Sequence, residues 1–180
     1  MPKEIILVTG AASSGKSQWA EHLALSRQKS VIYLATGQSN PHDAEWHAKI
    51  TKHQQRRPKN WQTHEVTLNL SGAIAQYSSP GCVLIDSLGT WVANCLEENQ
   101  PSWDLRVKDL LTTMNNSELD LILVGEETGW GVVPAYAIGR LFRDRLGTLI
   151  RQIGAQADQV YLVTGGYALN LTQLGQKLPV

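Results

Sequence analysis

Cysteine, net charge and long apolar runs are all scarce in this chain. Its 180 residues hold two cysteines, Cys82 and Cys95. No metal-ligand spacing and no disulfide framework can be built from that pair, so a reducing compartment is expected. Sixteen Lys and Arg balance sixteen Asp and Glu, for a formal net charge of +0. That balance disfavours a globally basic nucleic-acid binder and leaves only a local basic patch for such a role. The apolar run near the start, Ile5 to Val8, ends at Thr9-Gly10 and is too short for a signal peptide. No window approaches the ~18 apolar residues of a membrane span, and neither repeats nor low-complexity segments occur. What is present, 42% apolar and 18% charged residues, suffices for a buried core. The expectation is a soluble, cytoplasmic protein with a single domain over residues 1–180.

Short, mostly β-branched runs recur along the chain: Ile5 to Val8, Val31 to Leu34, Val83 to Ile85, Leu121 to Val124 and Val160 to Val163. Runs of this kind suit strands buried on both faces of a parallel sheet. Between them lie segments of helical character, about Ser17 to Ser26, His42 to Arg57, Leu88 to Leu96, Trp103 to Met114 and Ala135 to Ala155. In the last, Ile138, Leu141, Phe142, Leu146, Leu149, Ile150 and Ile153 recur near the 3.6-residue period, with charges between them. Alternating strands and helices predict right-handed crossovers and a doubly wound α/β fold, a mostly parallel sheet flanked by helices. Ligands of such sheets sit at the carboxyl ends of the strands.

One such end carries Gly10, Ala11, Ala12, Ser13, Ser14, Gly15, Lys16 and Ser17. This is G-x-x-x-x-G-K-[ST] between the first strand and the first helix, which makes the sheet of P-loop NTPase (RecA-like) type. Glycines let backbone N–H groups curl around phosphate oxygens, and the helix N-terminus adds partial positive charge. Lys16 would reach the β- and γ-phosphates, and the Ser17 hydroxyl would ligate Mg²⁺. An ordinary glycine turn before a helix is the plainer alternative. Val83-Leu84-Ile85-Asp86 is an apolar strand ending in a carboxylate, suited to a second Mg²⁺ or nucleotide contact. An Asp at that position can equally cap the helix that follows.

Residues 46–64 form a basic stretch with Lys49, Lys52, Arg56, Arg57 and Lys59 and with His47, His53 and His64. On a helix over 42–57, Trp46, Ile50, His53 and Arg57 share one face. Lys49 and Arg57, one turn to either side of His53, oppose protonation of its imidazole and would offset phosphate charge. A neutral histidine so placed could attack phosphorus. The same pattern also fits an amphipathic helix with a solvated basic face, and only its face distinguishes His53 from His47 and His64.

Together these residues resemble a known family, the bifunctional adenosylcobinamide kinase/adenosylcobinamide-phosphate guanylyltransferases of cobalamin biosynthesis. The resemblance runs along almost the whole chain: Val8 to Glu21, Tyr33-Leu-Ala-Thr36, Asp43-Ala-Glu-Trp, Lys49-Ile-Thr-Lys-His53, Arg57-Pro-Lys-Asn-Trp-Gln-Thr-His-Glu65, Leu84 to Asn94, Glu127-Thr-Gly-Trp-Gly-Val-Val-Pro134, Gly139-Arg, Phe142-Arg-Asp144 and Ala157-Asp158. The phosphate loop is generic, whereas the strings ending in Glu65 and beginning at Glu127 are specific. The resemblance implies that a nucleoside triphosphate, ATP or GTP, phosphorylates the aminopropanol hydroxyl of adenosylcobinamide. GMP from GTP then passes to that phosphate through a guanylylated histidine, here His53. It further implies nucleotide contacts from residues 10–17, Ala35, Thr36, Gly37, Gln54, Gln55, Arg56, Arg57, Glu65 and Asp86, with Lys16 catalytic, and a homotrimer with sites near subunit boundaries. Ala11 and Ser13 stand where the family usually has Gly and Arg. Gly125-Glu126 replaces its usual Ser/Thr-Asn, and Ile150-Arg151 an Asn-Gln pair. Two other readings fit the motifs: a P-loop kinase or NTPase for an unrelated small molecule, and a nucleotide-dependent nucleic-acid binder using residues 46–64.

Overall fold

The computed structural model describes residues 2–37 and 57–179. Their strands form one sheet: β1 (Ile5–Gly10), β2 (Val31–Ala35), β3 (Gln62–Glu65), β4 (Cys82–Asp86), β5 (Asp120–Glu126), β6 (Gln159–Thr164) and β7 (Tyr167–Asn170). The helices are α1 (Lys16–Ser26), α2 (Leu70–Ile74), α3 (Leu88–Asn94), α4 (Gln100–Asn116), α5 (Ala137–Gln156) and α6 (Leu171–Leu174). The strand order is β3-β2-β4-β5-β1-β6-β7. All neighbours pair in parallel except β6 and β7. This is the mostly parallel, helix-flanked sheet expected of the P-loop NTPase type.

The period-2 alternation of the strands divides the core. Ile5 and Leu7 of β1 face one side with Val83, Ile85, Leu121 and Leu123, where α2, α3, α4 and α5 contribute Leu70, Leu88, Trp91, Leu110, Leu149 and Ile153. Ile6 and Val8 face the other side with Tyr33, Leu84, Ile122 and Val124, against Ala20 and Ala24 of α1. The small alanines let α1 lie close to the sheet, so the turn that enters it is held tightly above β1. β4, β5 and β1 are buried over almost their whole lengths, which is why they read as continuous apolar runs.

All five expected strands and four of the five expected helices are found, with shifted edges. α4 begins at Gln100 rather than Trp103, because Asn99 caps it and Pro101 opens its first turn. α3 stops at Asn94, two residues short of the expectation. The fifth expected helix, over 42–57, lies outside the described residues except for Arg57. Four elements were not anticipated. β3 is Gln-Thr-His-Glu, exposed throughout, and carries no apolar signal; its place comes from backbone pairing with β2. α2 and α6 are too short for a helical period to register. The β6–β7 hairpin turns on Gly165 and Gly166, with φ of 56° and 82°. A Gly-Gly pair between strand-like runs is the signal that identifies such a turn.

Candidate active site

The carboxyl ends of β1, β2, β4 and β5 line one edge of the sheet. In register, Gly10 pairs with Glu126, Ala35 with both Glu65 and Asp86, and Asp86 with Val124. The phosphate loop, Ala35, Glu65 and Asp86 are therefore brought to the same edge. β5 lies between β1 and β4, which sets the loop strand and the Asp86 strand about 10 Å apart, two strand spacings.

The loop between β1 and α1 is shaped for an anion. Gly15 takes φ 96° at the start of α1, and Ser13 takes φ 59°. A Cβ on Gly10 would lie 2.4 Å from the Val163 carbonyl oxygen of β6, so only glycine lets the loop sit this low. α1 begins with no side-chain cap and no acid in its first turn. Its leading N–H groups are thus left to whatever occupies the loop. Ser14 Oγ is buried with no hydrogen-bond partner, a second polar group open to a phosphate oxygen. Lys16 is nearly buried, and its Nζ lies 3.4 Å from the Ala11 carbonyl, so its charge folds back over the loop. These features fit a nucleotide polyphosphate. The hydroxyl of Ser17 and the carboxylate of Asp86 are oxygen donors of the kind that Mg²⁺ takes alongside substrate phosphates.

Asp86 does not cap α3. That cap is Ser87, whose Oγ accepts from the Thr90 N–H. Asp86 Oδ2 instead accepts a 2.8 Å hydrogen bond from the Tyr33 hydroxyl of β2. Burial, followed by the Asp86 charge, pushes the Tyr33 phenol far above its usual range, so it remains a donor. The Arg57 guanidinium lies 3.5 Å over the Tyr33 ring, and its Nη1 donates to Thr63 Oγ1 of β3. Arg57, Tyr33 and Asp86 thus form one connected chain across β3, β2 and β4. The Tyr33 role was not anticipated. An aromatic hydroxyl inside a buried strand, which needs a partner, was the available clue.

Thr36 is wholly buried, and its hydroxyl is used twice on the backbone of Ser87, accepting from the N–H at 2.8 Å and donating to the carbonyl at 2.7 Å. Its own carbonyl accepts from Asn94 Nδ2. Of the expected nucleotide contacts, Thr36 is therefore committed to joining β2 to the β4–α3 turn. Glu65 is exposed at the outer edge, and Gly37 is half-buried just past β2. His53, Gln54, Gln55 and Arg56 lie outside the described residues.

Two glutamates at the end of β5 lie beside the loop. Glu126 Oε2 accepts from the Gly89 N–H of α3 at 2.8 Å. Glu127 N–H donates to the Gly10 carbonyl at 3.0 Å, and its Oε1 accepts a 2.6 Å bond from Thr9 Oγ1. Just before them, a Cβ on Gly125 would lie 2.1 Å from Ile150 Cδ1 of α5. The Gly125 and Ile150 departures from the usual family residues therefore meet in space.

The model of the cobinamide kinase / cobinamide phosphate guanyltransferase family matches residues 6–171. The bifunctional adenosylcobalamin biosynthesis protein CobP of Pseudomonas aeruginosa is 35% identical over 92% of this chain and 95% of its own length. The corresponding CobU protein of Escherichia coli K12 is 33% identical over 93% of this chain and 99% of its own. The fold is similar to that of a solved protein from Pyrococcus horikoshii OT3, with TM-score 0.58 at 8% identity over 99% of this chain and 92% of the other. It is also similar to a type III secretion ATPase, with TM-score 0.56 at 10% identity over 96% of this chain and 53% of that one. The chain belongs to the cobinamide kinase / cobinamide phosphate guanyltransferase family.

Proposed function

We propose that this member of the family, acting as one unit over residues 1–180, carries out both the kinase and the guanylyltransferase reactions. It phosphorylates the aminopropanol hydroxyl of adenosylcobinamide with ATP or GTP. It then transfers GMP from GTP to the phosphate so formed, giving adenosylcobinamide-GDP in cobalamin biosynthesis. The observation that carries this reading is the uncapped N-terminus of α1 behind the Gly10–Ser17 loop, in a chain that matches the family over residues 6–171.

In this reading the leading N–H groups of α1 and the Lys16 ammonium hold the triphosphate and offset the charge that builds on it in transfer. Ser17 and Asp86 would hold Mg²⁺ with the phosphates, and the ion would supply further charge neutralisation. Tyr33 fixes the rotation of the Asp86 carboxylate. In the kinase step, the acceptor oxygen bonds to the γ-phosphorus as the bond to the β,γ-bridging oxygen breaks, and a nucleoside diphosphate leaves. In the second step the neutral imidazole of His53 attacks the α-phosphorus of GTP and pyrophosphate leaves. The corrinoid phosphate then displaces the histidine and takes the GMP. An imidazolium has no lone pair to donate, so the attack needs the neutral form. A homotrimer in the cytoplasm belongs to the same proposal. Exposed Trp130, Val132, Val133 and Tyr136 support it as an apolar surface next to the site.

The test is incubation with GTP labelled at the α-phosphate. Wild-type protein should take up acid-labile, base-stable label. His53→Ala should take up none and still phosphorylate adenosylcobinamide, while His47→Ala and His64→Ala keep the label. Full labelling of the His53→Ala protein, or GMP mapped to another residue, would overturn the assignment.

A further inference from the structure

An alcohol that attacks phosphorus must lose its proton, and the group that takes it must sit within hydrogen-bond reach of the phosphate loop. Among the described residues, four acids stand at or just past the carboxyl ends of the strands on this edge, and the structure separates their roles. Asp86 Oδ2 is bonded by the Tyr33 hydroxyl, and its strand stands two places from β1. Glu126 Oε2 is held by the α3 N-terminus at Gly89. Glu65 is exposed on β3, at the far edge of the sheet. Glu127 is tied to the loop strand through its carboxylate as well as its backbone, the backbone to Gly10 and the carboxylate to the Thr9 hydroxyl.

We propose that Glu127 is the general base of the phosphoryl-transfer step. Thr9 is buried, so its hydroxyl holds Oε1 in a fixed direction. That leaves Oε2 to take the proton. Beyond Glu127 the chain passes into exposed Thr128, Gly129 and Trp130, so the side from which a bulky acceptor would approach is open to solvent. The proton of the acceptor hydroxyl moves to Oε2 as the oxygen bonds to the γ-phosphorus. The bond from that phosphorus to the bridging oxygen breaks, and the nucleoside diphosphate carries off the electron pair. Guanylylation has no alcohol to deprotonate, since its nucleophile is already a neutral imidazole, so Glu127 should matter to one reaction and not to the other.

This assignment rests on the proposed kinase activity, so wild-type phosphorylation of adenosylcobinamide is measured first; its absence would refute the function and not the choice of base. Glu127→Gln is the informative variant, because an amide oxygen can still accept from Thr9 and only the basicity is lost. Its kcat for phosphorylation should fall by about 10²–10⁴-fold, with KM for the acceptor little changed. Labelling from α-labelled GTP should stay near wild type. Glu127→Ala should be equally slow and regain part of its turnover when formate is added, a response that a purely structural role would not give. Wild-type kcat in Glu127→Gln would overturn the proposal. So would equal loss of both reactions, or an absence of formate rescue in a Glu127→Ala protein that still takes up label.

Discussion

Two strand-to-helix turns on the same edge of the sheet reach opposite solutions. At β1–α1 the helix starts without a cap, its entry residue Gly15 is left-handed, and Ser14 Oγ is buried without a partner. At β4–α3 the helix N-terminus is filled by the protein's own groups. Ser87 accepts from Thr90, Glu126 accepts from Gly89, and Thr36 binds both backbone groups of Ser87. The open turn leaves its donors to a ligand, and the closed turn spends them on rigidity. Topology alone does not separate the two, because both follow a central parallel strand. What separates them is whether nearby side chains answer the orphan N–H groups.

Emptying the open turn of its charge should have the largest effect. Lys16→Ala is expected to lower both phosphorylation and guanylylation by about 10²–10³-fold, the scale for losing one donor aimed at developing charge. If guanylylation continues at the wild-type rate while phosphorylation is lost, the two reactions do not share this pocket. The link between β2 and β4 should matter less. Tyr33→Phe removes the hydroxyl bonded to Asp86 and should raise the Mg²⁺ concentration needed for half-maximal rate by about tenfold, the lower end for a group that orients a metal ligand. An unchanged Mg²⁺ requirement would make Tyr33 a packing residue only.

Much of this arrangement is legible in the sequence, and its limits have physical causes. The phosphate loop could be read because its demands are local: two glycines, a lysine and a hydroxyl at fixed spacing in front of a helix. The central strands could be read because burial on both faces leaves unbroken apolar runs. Asp86 could be placed at a strand end, but its partner could not, since Tyr33 lies 53 positions away and meets it only across the β2–β4 pairing. The commitment of Thr36 to Ser87 was hidden for the same reason. β3 gave no apolar pattern, because it is an exposed edge strand placed by backbone pairing with β2.

Substitution in the closed turn should cost stability and little activity. Ser87→Ala removes the α3 cap and is expected to lower unfolding free energy by about 1 kcal/mol, with kcat near wild type; denaturant melts beside turnover assays check both. A large loss of turnover without loss of stability would move Ser87 into the site. The smallest effect is expected at Cys82 and Cys95, which bracket this turn and are fully buried. Burial pushes the Cys82 thiol up to about 12 and the Cys95 thiol up to about 11. Neither should react with iodoacetamide at pH 8 in the native protein. Because both are raised above their ordinary value of 9.0, folding disfavours the thiolate. Their contribution should be intact below pH 9 and decline as pH rises through 11 to 12.

The contact between Gly125 and Ile150 bears on the routes by which this chain can change. A side chain at 125 and the Cδ1 methyl of Ile150 claim the same volume. Gly125→Ala in the present background must displace that methyl, whereas Ile150→Val removes it first and clears the space. The order of the two substitutions therefore matters, and their effects on stability should not add. A lineage passing between this pair and the Ser/Thr with Asn usual in the family has an easier path through the smaller helix residue than through the larger strand residue.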